Sequence, residues 1–241
     1  MPIERDGRFL VWRDMQHTPG IALESDQLAA CADEARRVPF KGVFGNPAFG
    51  FHEVTLDVLN ELPLTEGVWF WDVELRNVEA LYSLTRLRNF GVHPKRPAID
   101  FARLPTLKQL VWFHKPSDTG VASLLALETL HSWRYRHKTK TFAGLVLPEN
   151  LLELNINWAN VETLDGLPRL PQLRRLELHR CRNLRSLSEL GALFPRLEHL
   201  VVAACGKVQQ GEGERVARQL PRLKHAYVKD SIVPVSASRS P

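Results

Sequence analysis

The chain reads Pro171-Gln-Leu-Arg-Arg-Leu-Glu-Leu-His-Arg-Cys-Arg-Asn-Leu184 and, 24 residues further on, Pro195-Arg-Leu-Glu-His-Leu-Val-Val-Ala-Ala-Cys-Gly-Lys-Val208. Both stretches follow one spacing, L-x-x-L-x-L-x-x-C-x-x-L, in which valine replaces leucine at two places in the second. Such a match is specific, because several positions must coincide twice in the same phase. The pair therefore indicates an internal repeat, whose extent the rest of the sequence defines.

The same spacing recurs upstream and downstream. With the first leucine counted as position 1, the core residues at positions 4 and 6 return in seven clear copies and two degenerate ones. The copies begin at Phe40, Thr65, Leu87, Leu107, Leu127, Leu151, Leu173, Leu197 and Leu223, of which Phe40 and Thr65 open the degenerate pair. Consecutive copies are 20 to 26 residues apart, which is within or near the length of one leucine-rich repeat.

These residues resemble the leucine-rich-repeat family, and the resemblance covers about residues 40 to 230. It implies an α/β solenoid, a horseshoe whose concave face is a parallel sheet of about eight or nine short strands. Because side chains alternate along a strand, positions 4 and 6 are predicted to point into the core and positions 3, 5 and 7 outward. One repeat cannot bury its apolar side alone, so both ends of the stack need a cover.

The segments outside the repeats are predicted to form these covers, within one structural domain. Residues 1–39 are expected to be an N-terminal cap, with a strand near Phe9 and Val11 and a helix over 25–37 that has Ser25 as its N-cap candidate. Residues 40–230 are assigned to the solenoid, with a helix at 212–220 before the last strand. Residues 231–241 are small and polar and are predicted to be a flexible tail.

Composition narrows the class of protein. The chain has 241 residues, a net charge of +5 and 44% hydrophobic residues, and no apolar run approaches the roughly 20 residues of a membrane-spanning helix. Its N-terminus shows no apolar stretch of the kind a secretory signal needs, so we expect a cytoplasmic protein. Three cysteines without a C-x-x-C pair argue against both a disulfide framework and a zinc knuckle.

The outward positions of the repeats are enriched in aromatic and histidine residues. Positions 2, 3, 5, 7 and 8 make up about a fifth of the chain, yet they hold four of the six tryptophans and six of the nine histidines. Exposed rings on one surface are typical of a binding face. The residues predicted to bind a partner are Trp69, Trp71, His93, Phe113, His131, Trp133, Arg134, Trp158, His179 and Arg180.

The sequence favours a non-enzymatic module that binds a protein partner through this face, monomeric when alone. It could inhibit, mask or scaffold that partner, and the compact Arg- and Leu-rich chain looks bacterial, which suggests an immunity-type antagonist of a toxin. Recognition of a glycan or other small ligand by the tryptophans is the alternative. Single-stranded nucleic acid is a third, disfavoured because acidic residues are mixed among the basic ones.

One local alternative stays open at this stage. Trp69 and Trp71 could be covered by the N-terminal segment instead of being exposed. Cys181 and Cys205, one repeat apart, are expected to be buried thiols, while Trp112 is assigned to the core. No catalytic signature, metal site or cofactor motif is predicted, since the histidines on the face do not converge with acidic residues.

Overall fold

The computed structural model describes residues 3–15, 18–38, 40–209, 211–229 and 231–234. It consists of two compact units, Met1–Gly120 and Val121–Pro241. Within each unit the strands lie side by side in the order in which they occur in the chain. Strands that are neighbours both in the chain and in the sheet are the arrangement expected of stacked repeats.

The first unit contains seven strands and one α-helix among its described residues. They are β1 (Ile3–Asp6), β2 (Phe9–Met15), β3 (Thr18–Ala22), α1 (Leu28–Arg37), β4 (Gly42–Gly45), β5 (Gly67–Glu74), β6 (Asn89–Lys95) and β7 (Gln109–Phe113). The first three strands form an antiparallel meander. From β3 to β7 the strands are parallel, and short 3-10 turns occupy the return segments.

The second unit continues the same plan. Its described strands and helices are β8 (Thr129–Trp133), β9 (Glu153–Asn157), β10 (Arg175–His179), α2 (Leu190–Leu193), β11 (His199–Ala203), α3 (Glu212–Gln219), β12 (His225–Val228) and β13 (Ser231–Ile232). Strands β8 to β12 are parallel and in register. Strand β13 closes the sheet by pairing antiparallel with β12.

The predicted repeat positions correspond to strands without exception. Each of the nine copies leads into one of β4 to β12, and each strand begins two residues after the position-1 residue. Positions 4 and 6 are buried in every copy, which confirms the alternation expected of a strand with one face on the core. Each fully buried leucine stabilises the fold by about 1.5–3 kcal/mol relative to an exposed one.

The two cysteines of the repeat are buried thiols that connect neighbouring repeats, as predicted. Cys181 Sγ lies 3.8 Å from the carbonyl oxygen of Ile156, and Cys205 Sγ lies 3.5 Å from that of Leu178. Both cysteines are reduced. Hydrogen bonding to Cys205 and burial raise the pKa of the Cys181 thiol. A thiol held protonated in this way is a structural hydrogen-bond donor and not a nucleophile.

The N-terminal cap differs in detail from the expectation. The predicted helix exists as α1, but it is preceded by a 3-10 turn at Ser25–Gln27, and Ser25 does not cap it: its Oγ accepts a hydrogen bond from the backbone N–H of His52 instead. The sequence also missed β1 and β3. Ile21 of β3 and Leu23, the residue after this strand, are buried in the core, yet this copy of the pattern begins at Thr18, where no leucine marks it.

The C-terminal helix agrees with the expectation, whereas the first residues assigned to the flexible tail pack on the sheet. Helix α3 lies within the predicted span, and its Val216 is buried. The segment assigned to the tail begins with β13, and the next residue, Val233, is buried and donates its backbone N–H to the carbonyl of Ala226 at 2.9 Å. Residues 235–241 of that segment lie outside the described residues.

Candidate binding face

The outward residues of the second unit form an aligned array. We call this array the β8–β11 face and define it by strand positions 3, 5 and 7. Its members are Thr129, His131, Trp133, Glu153, Asn155, Asn157, Arg175, Glu177, His179, His199, Val201 and Ala203. The register places His131, Asn155 and Glu177 in one row across the sheet and Trp133, Asn157 and His179 in the next. Side chains in such rows are close enough to interact directly.

Glu177 is the centre of a polar network on this face. Its Oε2 accepts hydrogen bonds from Asn155 Nδ2 at 3.0 Å and pairs with His179 Nε2 at 2.9 Å. Asn157 Nδ2 in turn donates to Asn155 Oδ1 at 2.6 Å, and Arg175 Nη1 lies 3.6 Å from Glu177 Oε1. Because these polar groups hold one another, the face is presented in one arrangement before any partner arrives.

His131 lies beside this network and is half-buried. Burial lowers the pKa of its imidazole, and the carboxylates of Glu177 and Glu153 oppose the shift without cancelling it. The histidine is therefore neutral at pH 7. A hollow of about 70 Å³ beside it is lined by His131, Glu153, Leu154, Asn155, Arg175 and Glu177. That volume is well below the 300–1,000 Å³ typical of small-ligand pockets.

The chain turns away from each strand through a residue in the left-handed region. Arg134, Trp158, Arg180 and Ala204, all at position 8 of successive repeats, have φ of 58°, 59°, 56° and 56°. The backbone N–H of each of the first three donates to the position-7 carbonyl of the following repeat, at 2.8–2.9 Å. All four residues are exposed. Trp158, at 41% exposure, is the most solvent-exposed large aromatic side chain on the described residues.

Trp69 and Trp71 lie in a different environment from the predicted residues of the second unit. Both are half-buried and pack on the cluster that Trp12 of β2 forms with Phe44. The ring of Trp71 stacks on Phe44 at a centroid distance of 6.3 Å. The N-terminal meander therefore covers them, since its apolar side chains need a surface on which to pack.

Trp69 is also fixed by its neighbour in β6. It pairs in register with Gly91, and a Cβ at Gly91 would lie 2.1 Å from Trp69 Cζ3. The indole ring therefore lies directly on the glycine backbone, an approach that only glycine permits. This contact and the cover by the meander give Trp69 a role in packing.

His93 and Phe113 form a small pair of their own in the first unit. Their ring centroids are 3.6 Å apart, and His93 Nδ1 lies 3.8 Å from Asp72 Oδ1. Both residues are half-buried on the outward side of β6 and β7. The structure thus brings together six predicted residues in the second unit, His131, Trp133, Arg134, Trp158, His179 and Arg180, and places His93 and Phe113 in the first.

Comparison with known proteins identifies the fold. No protein-family model and no curated protein matches the sequence. Among solved structures, an internalin (inlF) from Listeria monocytogenes aligns with 85% of this chain and 66% of its own, at 15% identity and a TM-score of 0.50. This likeness, with the nine strands that follow the leucine spacing, decides the architecture. The chain has the leucine-rich-repeat fold.

A second similar structure is the functional domain of InlJ from Listeria monocytogenes, which includes a cysteine ladder. It aligns with 78% of this chain and 40% of its own, at 15% identity and a TM-score of 0.42. This leucine-rich-repeat chain thus spans less than two thirds of the length of either structure.

The leucine-rich-repeat face contains functional candidates that the sequence analysis did not single out. Asn155 and Asn157 complete the network around Glu177. Their signal was present in the sequence, because positions 3, 5 and 7 of the copy at Leu151 read Glu, Asn, Asn between buried leucine and isoleucine. Within the described residues, no group of three or more His, Cys, Asp or Glu side chains could hold a metal ion, and no helix is long and apolar enough to cross a membrane.

Proposed function

We propose that the chain is a non-enzymatic interaction module that binds a protein partner through the β8–β11 face and the exposed position-8 residues at its edge, Arg134, Trp158, Arg180 and Ala204. The observation that carries the proposal is the array itself, where half-buried Trp133 and His131 and exposed Trp158 surround a polar network centred on Glu177. Aromatic anchors beside prearranged polar groups are the typical composition of a protein interface. The leucine-rich-repeat fold supports the proposal, because its open sheet presents a continuous surface.

The geometry of the face argues for binding rather than for chemistry. The hollow beside His131 is too small for a substrate. The carboxylate of Glu177 is engaged by Asn155 in its own row and by His179 in the next row, among outward side chains of the sheet and not in a closed cleft. A catalytic site needs a reacting atom held between a nucleophile or base and stabilising donors, away from water. The function supported best is therefore recognition.

The more specific form of the proposal is an inhibitor, in particular an immunity-type antagonist of a toxin in a bacterial cytoplasm. A face of fixed strand side chains acts on its partner by occupying the partner's surface, which blocks whatever that surface does. The activity of the captured partner distinguishes the two roles. Inhibition by a stoichiometric amount of the chain supports an antagonist, whereas full activity in the complex supports a scaffold.

Glycan recognition by a row of tryptophans is weakened by the position of two of them. Trp69 and Trp71 pack against the N-terminal meander, so only Trp133 and Trp158 remain to stack on sugars. Chromatographic size still separates the two functions. A protein partner shifts the chain to an earlier elution volume, whereas a glycan leaves the elution of the chain unchanged.

The test is capture from lysate with three forms of the tagged full chain: wild type, Trp133→Ala/Trp158→Ala, and Leu125→Ala. Leu125 is 80% exposed in the same unit, between a 3-10 turn and β8 and outside the face, so it controls for general apolar contact. We expect mass spectrometry to find a protein bound by the wild type and by Leu125→Ala and absent with the double variant. Equal capture by all three forms would remove the face from the proposal.

A further inference from the structure

The turns that follow β8 and β10 are strongly basic. Residues 134–148 contain Arg134, Arg136, Lys138 and Lys140 and no acidic residue, and residues 178–188 contain Arg180, Arg182 and Arg185, again without one. Both segments lie in the second unit at the carboxyl ends of the strands. Seven cations therefore lie in the segments that leave one edge of the β8–β11 face, at the carboxyl ends of its strands.

Most of this charge is not balanced within the chain. The carboxylate of Glu162 pairs with Lys140 at 2.9 Å and with Arg185 at 3.5 Å. In the part of the chain that the structure describes, the remaining five cations have no carboxylate within ion-pair distance, and all are exposed: Arg134, Arg136, Lys138, Arg180 and Arg182. Like charges gathered without counter-charges repel one another, so an anionic partner would relieve an existing cost.

Three position-8 residues give this edge a defined geometry. Arg134, Trp158 and Arg180 occupy equivalent left-handed positions in consecutive repeats, and hydrogen bonds to the next repeat fix each backbone. The guanidinium carbon of Arg180 lies 5.0 Å from the centroid of the Trp158 ring, within the range of a cation–π contact. Since neighbouring strands are about 4.8 Å apart, the backbones of Arg134 and Arg180 are about 10 Å apart, and Trp158 lies on the strand turn between them.

We propose that this basic edge binds an acidic segment of the protein partner, in which carboxylates flank an apolar side chain. This inference rests on the proposed function and names the chemistry of the partner. Arg134 and Arg180 would each receive a carboxylate through the paired N–H groups of the guanidinium. The apolar side chain would lie against the exposed ring of Trp158, whose other neighbour, Arg180, already stacks on it.

The distribution of acidic groups favours a protein segment over a nucleic acid. Glu153 and Glu177 stand on β9 and β10 of the adjoining face. A continuous phosphate backbone crossing from the edge onto this face would meet both carboxylates. A protein segment can place acidic residues at the edge and neutral or basic ones over the face, which matches the charge at each place.

The experiment uses the purified full chain and three fluorescein-labelled probes, read by fluorescence anisotropy. The first probe is a short peptide of Asp and Glu around a central Phe, the second is the same peptide with Asn and Gln for the acids, and the third is a single-stranded thymidine oligonucleotide of equal charge. The variants are Arg134→Gln/Arg180→Gln and, as a matched control, Arg218→Gln/Arg222→Gln. The control removes two other exposed arginines of the same unit.

We expect the acidic peptide to bind best, with an affinity that falls as salt rises. The Arg134/Arg180 variant should lose at least about tenfold in affinity for it and the control less than about twofold. Equal loss in both variants, or tighter binding of the oligonucleotide than of the acidic peptide, would overturn the inference. So would the absence of any binding above that of the neutral peptide.

The outcome can be separated from a failure of the proposed function. Arg134→Gln/Arg180→Gln is compared with Trp133→Ala/Trp158→Ala in the lysate capture. If the arginine variant still captures the protein that the tryptophan variant loses, the face binds a partner that places no acidic segment on Arg134 and Arg180. In that case the proposed function stands and this inference fails. If no form captures a protein, the proposed function itself fails, whatever the peptide does.

Discussion

Arg96 and Asp118 form a buried ion pair in the first unit. The two terminal nitrogens of the guanidinium lie 2.7 Å from the two carboxylate oxygens, and the side chains are 2% and 0% exposed. Trp112 Nε1 and the backbone N–H of Ile99 also donate to the carboxylate, each at 2.9 Å. Burial acts to raise the pKa of Asp118, but the hydrogen bonds and charge of Arg96 outweigh it, and the net pKa is lowered.

Replacing Arg96 alone should strongly destabilise the protein. Arg96→Met leaves the Asp118 carboxylate buried without its counter-charge, and breaking a buried pair in this way costs about 3–5 kcal/mol. Urea unfolding followed by tryptophan fluorescence measures the change. The double variant Arg96→Met/Asp118→Leu should recover most of the loss, since neither charge remains. A loss under about 1 kcal/mol in the single variant would show that the pair does not hold this part of the fold.

The same pair predicts a stability loss in acid. Because the folded pKa of Asp118 is lower than the unfolded one, its contribution is complete above about pH 4 and is lost as the pH falls through the folded pKa. Unfolding midpoints measured between about pH 6 and pH 3 should therefore fall less steeply in Asp118→Asn than in the wild type. Parallel curves for the two proteins would contradict the lowered pKa.

The repeat made the strands predictable from the sequence. Contacts that do not recur with the repeat could not be predicted in this way. Leucine spacing located the repeats that contain β4 to β12, because burial at positions 4 and 6 leaves a periodic trace in the sequence. Arg96 and Asp118 lie in segments between strands, where no alternation constrains the residues. Their sequence neighbourhood is that of ordinary surface charge, and only the three-dimensional arrangement reveals the pair.

The sequence predicted which side chains of the candidate face point outward from the sheet, but not which of them are covered by another part of the chain. Alternation correctly placed Trp71 and Trp133 at outward positions of their strands. Which of the two is covered depends on where the N-terminal meander packs, and this is a long-range contact with no local signal. The polar residues of the Glu177 network stand at outward positions that the repeat predicts, but the spacing does not specify which of them hydrogen-bond across a copy 22 residues upstream.

This difference between tryptophans leads to a stability prediction. Trp71→Ala should cost about 2–3 kcal/mol, below the full 3–5 kcal/mol of a buried aromatic because Trp71 is only half-buried. Trp158→Ala, at an exposed position, should change stability by no more than about 0.5 kcal/mol. Thermal unfolding of the two variants in parallel provides the measurement. If Trp158→Ala is the more damaging of the two, the packing of the meander on Trp71 is refuted.

His131 makes stability depend on pH near neutrality. Its pKa is lowered on folding, so the folded state binds the proton less readily than the unfolded state does, and stability falls as the pH drops below about 6.5. His131→Gln should reduce the loss of stability measured by urea unfolding between about pH 7.5 and pH 5.5. His52→Gln, at an exposed position, is the matched control and should keep the wild-type loss. An identical loss in wild type and His131→Gln would rule out this contribution.

The left-handed turns after the strands store a small amount of strain. Ala204 is exposed with φ of 56°, a conformation that costs a residue with a Cβ about 1–2 kcal/mol and glycine almost nothing. Ala204→Gly should therefore stabilise the protein by up to about 1 kcal/mol, after allowance for the greater freedom of glycine in the unfolded chain.

The matched control is Ala30→Gly inside α1, where the same substitution should destabilise by about 1 kcal/mol. Urea unfolding of both variants and the wild type gives the change in the free energy of unfolding for each. The prediction concerns the sign of that change as well as its size. Opposite signs would show that the position-8 turns are strained and that Arg134, Trp158 and Arg180 are held there at a cost which glycine would avoid. Destabilisation of similar size at both positions would mean that the turn after β11 favours alanine as it stands, and that no strain is stored at position 8.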